Sequence, residues 1–90
     1  MVEGVVDMVM LIRNEGFCRA AIKELTPRQK EVLALLSQGF SNPAIAERLV
    51  LGPKSVENYI NLVYRKLRLA DLKEADPRVM AMLIFTRYRT

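Results

Sequence analysis

Apolar positions along this chain recur with helical periodicity. Val2, Val5, Val6, Val9 and Ile12 fall on one face of a helix predicted over residues 2–13, although the Val and Met content there also suits a strand. Asn14 and Gly16 then act as breakers, and residues 14–24 read as a linker with room for a short turn. Leu25, Val32, Leu35 and Leu36 give the buried stripe of a second helix. It opens at Thr26-Pro27-Arg28-Gln29, a capping box with proline at the first helical position. Gly39 ends it, because glycine enters the left-handed conformation at little cost.

Ser41 or Asn42 caps a third, short helix with Pro43 in its first turn. Its inward face is Ile45, Ala46 and Leu49, and Val50-Leu51-Gly52 forms the turn beyond. Pro53 opens a longer helix reaching about Leu67, with Val56, Ile60, Val63 and Leu67 as its core stripe. Opposite that stripe lie Lys54, Ser55, Asn58, Asn61 and Arg65. Amides, a hydroxyl and cations on one helix face are the groups that bond base edges and phosphates. A short helix, a tight turn and a longer helix with such a face have the layout of a helix-turn-helix.

Asp76-Pro77 starts a last helix over about 77–88, after a charged connector. This helix is apolar on more than one side. Val79, Met82 and Leu83 share one face and are expected to meet the core. Met80, Ile84 and Tyr88 point elsewhere and are the expected contact with an identical helix across a two-fold axis. The competing reading is that the N-terminal segment covers them.

Composition sharpens this picture. Ninety residues make one small domain, which gains from a partner because so short a chain is only marginally able to bury a core alone. The net charge is +4, and its excess sits in residues 53–68, where Lys54, Arg65, Lys66 and Arg68 face a single carboxylate, Glu57. A basic helix suits a phosphate backbone through counterion release. The chain has no His and only one Cys, Cys18, which excludes His/Cys metal sites and an internal disulfide. No cofactor is expected. Nor is an enzyme, because no nucleophile stands beside a base and the carboxylates are scattered along amphipathic helices. The apolar stretch from Val5 to Ile12, broken by Asp7, falls far short of the roughly 18 residues that a membrane helix needs. A signal peptide is not evident either. The expectation is a cytoplasmic protein.

Several of these motifs occur together in a recognisable order. Leu25-Thr26-Pro27-Arg28-Gln29-Lys30-Glu31-Val32-Leu33 comes first. Gly39, Ser41 and Asn42 then lead into Ile45-Ala46-Glu47-Arg48-Leu49. Lys54-Ser55-Val56-Glu57-Asn58-Tyr59-Ile60 and Arg65-Lys66-Leu67 follow. This series resembles the C-terminal DNA-binding domain of LuxR-type bacterial regulators over about residues 25–88. The resemblance implies an all-α, four-helix helix-turn-helix domain over residues 25–90, with residues 1–24 as an extra N-terminal helical segment. It implies a dimer on DNA through the last helix.

Carried over by position, Lys54, Ser55 and Tyr59 fall where the family contacts phosphates, and Asn58 and Asn61 on the groove-facing side. Glu57 stands where Lys is frequent; its carboxylate repels phosphate but can accept from cytosine N4. The expected DNA contacts are thus Thr26, Asn42, Lys54, Ser55, Glu57, Asn58, Tyr59, Asn61, Arg65 and Lys66. Double-stranded DNA and a second copy are the expected partners, with RNA polymerase or a larger regulator as further candidates. Family members commonly carry a sensor domain ahead of this one. Met1 favours a stand-alone regulator over an excised piece.

Two other functions compete with sequence-specific DNA reading for transcription control. One is an interaction module of the same fold that dimerises with or titrates a larger regulator, supported by Glu57 and the modest charge. The other, region four of a sigma factor, fits poorly with the tight Gly39-to-Asn42 joint and the last helix.

Overall fold

A computed structural model describes residues 14–73 and 75–89. Among these the chain forms five helices and no strand: α1 (Glu15–Glu24), α2 (Pro27–Ser37), α3 (Asn42–Leu49), α4 (Pro53–Lys66) and α5 (Pro77–Tyr88). The all-α expectation holds. The helix expected over 2–13 lies outside the described residues. None of the described helices is long and apolar enough to cross a membrane.

The helix starts follow local chemistry. The Thr26 hydroxyl accepts from the Gln29 amide at 3.2 Å, and the Gln29 side chain accepts from the Thr26 amide at 3.0 Å, which completes the capping box of α2. Ser41, rather than Asn42, caps α3. Gly52 precedes α4 without a side-chain cap bond, and the Asp76 carboxylate accepts from the Arg78 amide at the head of α5.

One expectation is corrected here. Residues 14–24 are not a linker but mostly helix α1, and Asn14 starts it by accepting the Phe17 amide at 3.0 Å. Asn is both a breaker and a good N-cap, and the two uses look alike until packing decides. Cys18, Ala21 and Ile22 of α1 join the same core as Val32, Leu33 and Leu36 of α2. Burial pushes the Cys18 thiol up from its ordinary range, while the Arg87 charge pulls the other way.

Three helices end in one hydrogen-bond pattern. After α2, Gly39 donates to the Leu36 carbonyl and Phe40 to Leu35. After α3, Val50 donates to Glu47 and Leu51 to Ala46. After α4, Arg68 donates to Arg65 and Leu69 to Tyr64. Each is a Schellman closure, whose pivot residue takes a left-handed backbone. The pivots are Gly39 (φ 93°), Val50 (φ 55°) and Arg68 (φ 60°). Only the first is glycine. A β-branched residue in this conformation is strained, and Val50 is 89% exposed, so no burial of its side chain repays the strain.

The core centres on α2, which packs against both α4 and α5. Val56, Ile60 and Val63 of α4, with Leu67 beyond it, are buried as their spacing predicts. The phase of α5 is the opposite of the one expected. Met80, Ala81, Ile84 and Tyr88 are buried, whereas Val79 and Leu83 are 48% and 50% exposed. Met80, Ile84 and Tyr88 therefore cannot form a dimer surface, because they already fill the interior of one copy. The physical reason is the uniformity of the helix: residues 79–85 are all apolar, so periodicity gives no phase. Ala81, fully buried, has the small side chain that lets α5 lie close against its neighbours; α5 packs most extensively on α2.

Candidate nucleic-acid interface

Helices α3 and α4 with the Val50–Gly52 turn form the helix-turn-helix, and α4 is its longer second member. Because Val56, Ile60 and Val63 hold α4 by one side, the other side must face solvent. Lys54, Ser55, Glu57, Asn58, Asn61 and Arg65 are all exposed there, and Tyr59 is half-buried. Ser55, Asn58, Tyr59 and Leu62 line a shallow hollow of about 310 Å³. Six of the ten expected contacts thus share one solvent-facing surface with Tyr59 at its edge.

The charges on this surface are partly spoken for. Lys54 Nζ lies 3.1 Å from Glu57 Oε1, one helical turn along. Both side chains are well exposed, so the pair is worth well under about 1 kcal/mol and opens readily. A positive residue in the first turn of a helix opposes the helix dipole, and Glu57 offsets that. Arg65 lies near the other end of α4, where a cation is favoured.

Three expected contacts stand elsewhere. The Thr26 hydroxyl is engaged in the α2 cap and the residue is exposed. Lys66 turns inward: its ammonium donates to the Glu24 carbonyl at 3.2 Å and to Gln29 Oε1 at 3.1 Å. Gln29 is only 7% exposed. It therefore joins the α2 cap to the end of α4, and Lys66 serves that junction instead of facing outward. Asn42 opens α3, half-buried, and its Oδ1 accepts from Arg78 Nη1 at 2.8 Å.

Arg78 is the residue that the sequence reading missed. It also donates to the Phe40 carbonyl at 2.6 Å. Burial pushes the Tyr64 phenol up, the Arg78 charge pulls it down, and Asp76 adds to the rise. Phe40 is held from its other side by Arg48, whose guanidinium stacks 4.2 Å from the ring centre. A signal for Arg78 was present: a cation in the first turn of a helix is electrostatically misplaced unless it serves a partner. A larger hollow of about 530 Å³, between Arg19, Lys30, Phe85 and Arg89, is lined by none of the expected DNA contacts.

Comparison with known proteins agrees with this architecture. The profile of bacterial regulatory proteins of the luxR family matches residues 23–76. An HTH-type transcriptional regulator of Mycobacterium bovis is 46% identical over 46 residues, which is 51% of this chain and 5% of that protein. The HTH-type transcriptional regulator MalT of Vibrio campbellii is 41% identical over 51 residues, 57% of this chain and 6% of MalT. The nitrate/nitrite response regulator protein NarL of Escherichia coli is 33% identical over 72 residues, 80% of this chain and 33% of NarL. The chain thus spans a third or less of each of these relatives. No solved structure matches it significantly.

Proposed function

The chain belongs to the luxR family of bacterial regulatory proteins, and from that premise we propose that it binds double-stranded DNA sequence-specifically, as a dimer, to control transcription in the cytoplasm. The observation that carries this reading is the division of α4. Its apolar stripe is buried, while Lys54, Ser55, Glu57, Asn58, Asn61 and Arg65 are exposed together. A helix held in this way can enter a major groove with its polar face toward base edges.

Asn58 and Asn61 are the base-reading groups, since an Asn amide pairs bidentately with adenine N6 and N7. Lys54, Ser55, Tyr59 and Arg65 serve the phosphates, joined by Thr26 and Asn42 from the starts of α2 and α3. Glu57 has two roles. It restrains Lys54 in the free protein and accepts from cytosine on DNA. The second copy docks through α5. Val79 and Leu83, one turn apart, are the exposed large apolar residues on that helix and suit contact with their own symmetry mates.

A competing reading keeps the fold without DNA affinity. The Lys54–Glu57 pair lowers the free positive charge of α4, and the apolar face of α5 then serves to engage a larger regulator. The experiment that separates the two is selection of genomic fragments by the purified protein with a salt titration. A recovered two-fold motif and a steep fall of affinity with salt are expected. Binding no tighter to any fragment than to bulk DNA overturns the sequence-specific reading and favours the interaction module.

A further inference from the structure

We propose that Arg78 is a positioning residue for DNA binding: it fixes the side-chain amide of Asn42 so that the amide's donor end is presented to a phosphate. The inference rests on the DNA reading proposed above and adds to it a residue that does not itself touch DNA.

Arg78 lies on α5, 36 residues along the chain from Asn42 and 38 from Phe40, yet it donates to Asn42 Oδ1 at 2.8 Å and to the Phe40 carbonyl at 2.6 Å. Its charge also acts on the Tyr64 phenol of α4. One guanidinium thus bonds both the turn before α3 and the first residue of α3. A guanidinium has donors only. Each of its partners must therefore show it an oxygen, and the Asn42 amide cannot flip without setting NH2 against N–H. The bond to Oδ1 fixes the amide with Nδ2 turned away from Arg78, as a donor. The same guanidinium adds positive potential at the head of α3, where the helix end already favours an anion.

Without Arg78, the two flips of the Asn42 amide become nearly equivalent and one of them offers oxygen to a phosphate. A lysine does not replace it. A single ammonium lacks the planar fork that reaches both oxygens. Phe40 is also secured by the Arg48 stack, so the turn itself has a second support when Arg78 is changed.

The test uses the full chain and a random-sequence duplex oligonucleotide, because a backbone contact is indifferent to sequence. Affinity is measured across a salt series for the wild type, Asn42→Ala, Arg78→Lys and the double variant. Asn42→Ala should weaken binding about tenfold to a hundredfold, the loss expected of one hydrogen bond to a charged group, and Arg78→Lys about twofold, because about half of the Asn42 amides then present the wrong end. The double variant should bind no more weakly than the weaker single variant, and the salt slopes should stay together because the Asn42 amide is neutral. Losses that multiply in the double variant, or wild-type affinity for Arg78→Lys, overturn the proposal.

Should Arg78→Lys fail to fold, the Asn42 side-chain amide resonances of the wild type decide. They must shift on saturation with the duplex, and unchanged resonances overturn the proposal. Lys54→Ala separates this failure from that of the DNA reading. If Lys54→Ala weakens binding while Arg78→Lys does not, only the role of Arg78 falls. If the wild type does not bind duplex at low salt, both fall.

Discussion

Helices α4 and α5 begin alike, with proline in the first turn, and end with opposite surfaces. α4 buries Val56, Ile60 and Val63 and shows solvent a lysine, a serine, a glutamate, two asparagines and an arginine. α5 buries Met80, Ala81, Ile84 and Tyr88 and still shows Val79 and Leu83. A face of amides and cations gains little from another protein's apolar surface and much from a polyanion with base edges. A face of Val and Leu gains from the reverse. The proposed function gives the two helices different partners, DNA for α4 and a second copy for α5, and this division can be attacked from either side.

The heaviest blow falls on the buried side of α5. Ile84→Asp places a carboxylate where Ile84 is fully buried. It should cost more than about 4 kcal/mol, because nothing there compensates a charge. Thermal melting should find this variant largely unfolded. A folded variant with a cooperative melt and a lost dimer would restore Ile84 to the surface and reverse the phase of α5.

Leu83→Asp tests the other side of the same helix. It should leave the melt of the monomer nearly unchanged and weaken dimerisation by about 2–4 kcal/mol, the range of a central contact residue. Sedimentation at a series of concentrations reads this directly. A dimer dissociation constant equal to that of the wild type moves the contact away from Val79 and Leu83.

On α4, Asn58→Ala should cost about 1–3 kcal/mol on the preferred site and relax the preference at about one base pair per half-site. Lys54→Ala should instead weaken all sequences alike. The distinction lies in the shape of the specificity profile, not in the size of the loss. If Asn58→Ala lowers affinity for every sequence equally, Asn58 does not read a base.

The smallest effect concerns the turns that launch the two helices. α5 starts from an ordinary cap at Asp76, whereas α4 follows a turn pivoting on Val50 in the left-handed region. Val50→Asn should stabilise the fold by about 1 kcal/mol, since Asn tolerates that conformation and Val does not. The rise is read as a shift in the denaturation midpoint at constant slope. A lower midpoint would mean that the Val50 side chain supports the fold despite its exposure.

How far the sequence can be trusted differs in the same way between the two helices. The stripe of α4 is legible because its polar and apolar residues alternate with the helix, so the sequence itself separates inside from outside. The apolar run 79–85 of α5 has no such contrast, and the reading that put Met80, Ile84 and Tyr88 outward had no signal to oppose it. Lys66 illustrates a different loss. It looks like one more cation on a basic helix, and its commitment to Gln29 Oε1 and the Glu24 carbonyl depends on α1 and α2 arriving beside it.

The sequence by itself determined the starts of α2 to α5, the core stripe of α4, and the polar face that the luxR family membership explains. Caps, prolines and helical periodicity act within a few residues, so their consequences are written locally. Tertiary structure alone decided that residues 15–24 form a helix, which side of α5 is buried, and that Arg78 reaches Asn42 and Phe40. Each of these depends on which surfaces meet across tens of residues of chain, and no local preference encodes such a meeting.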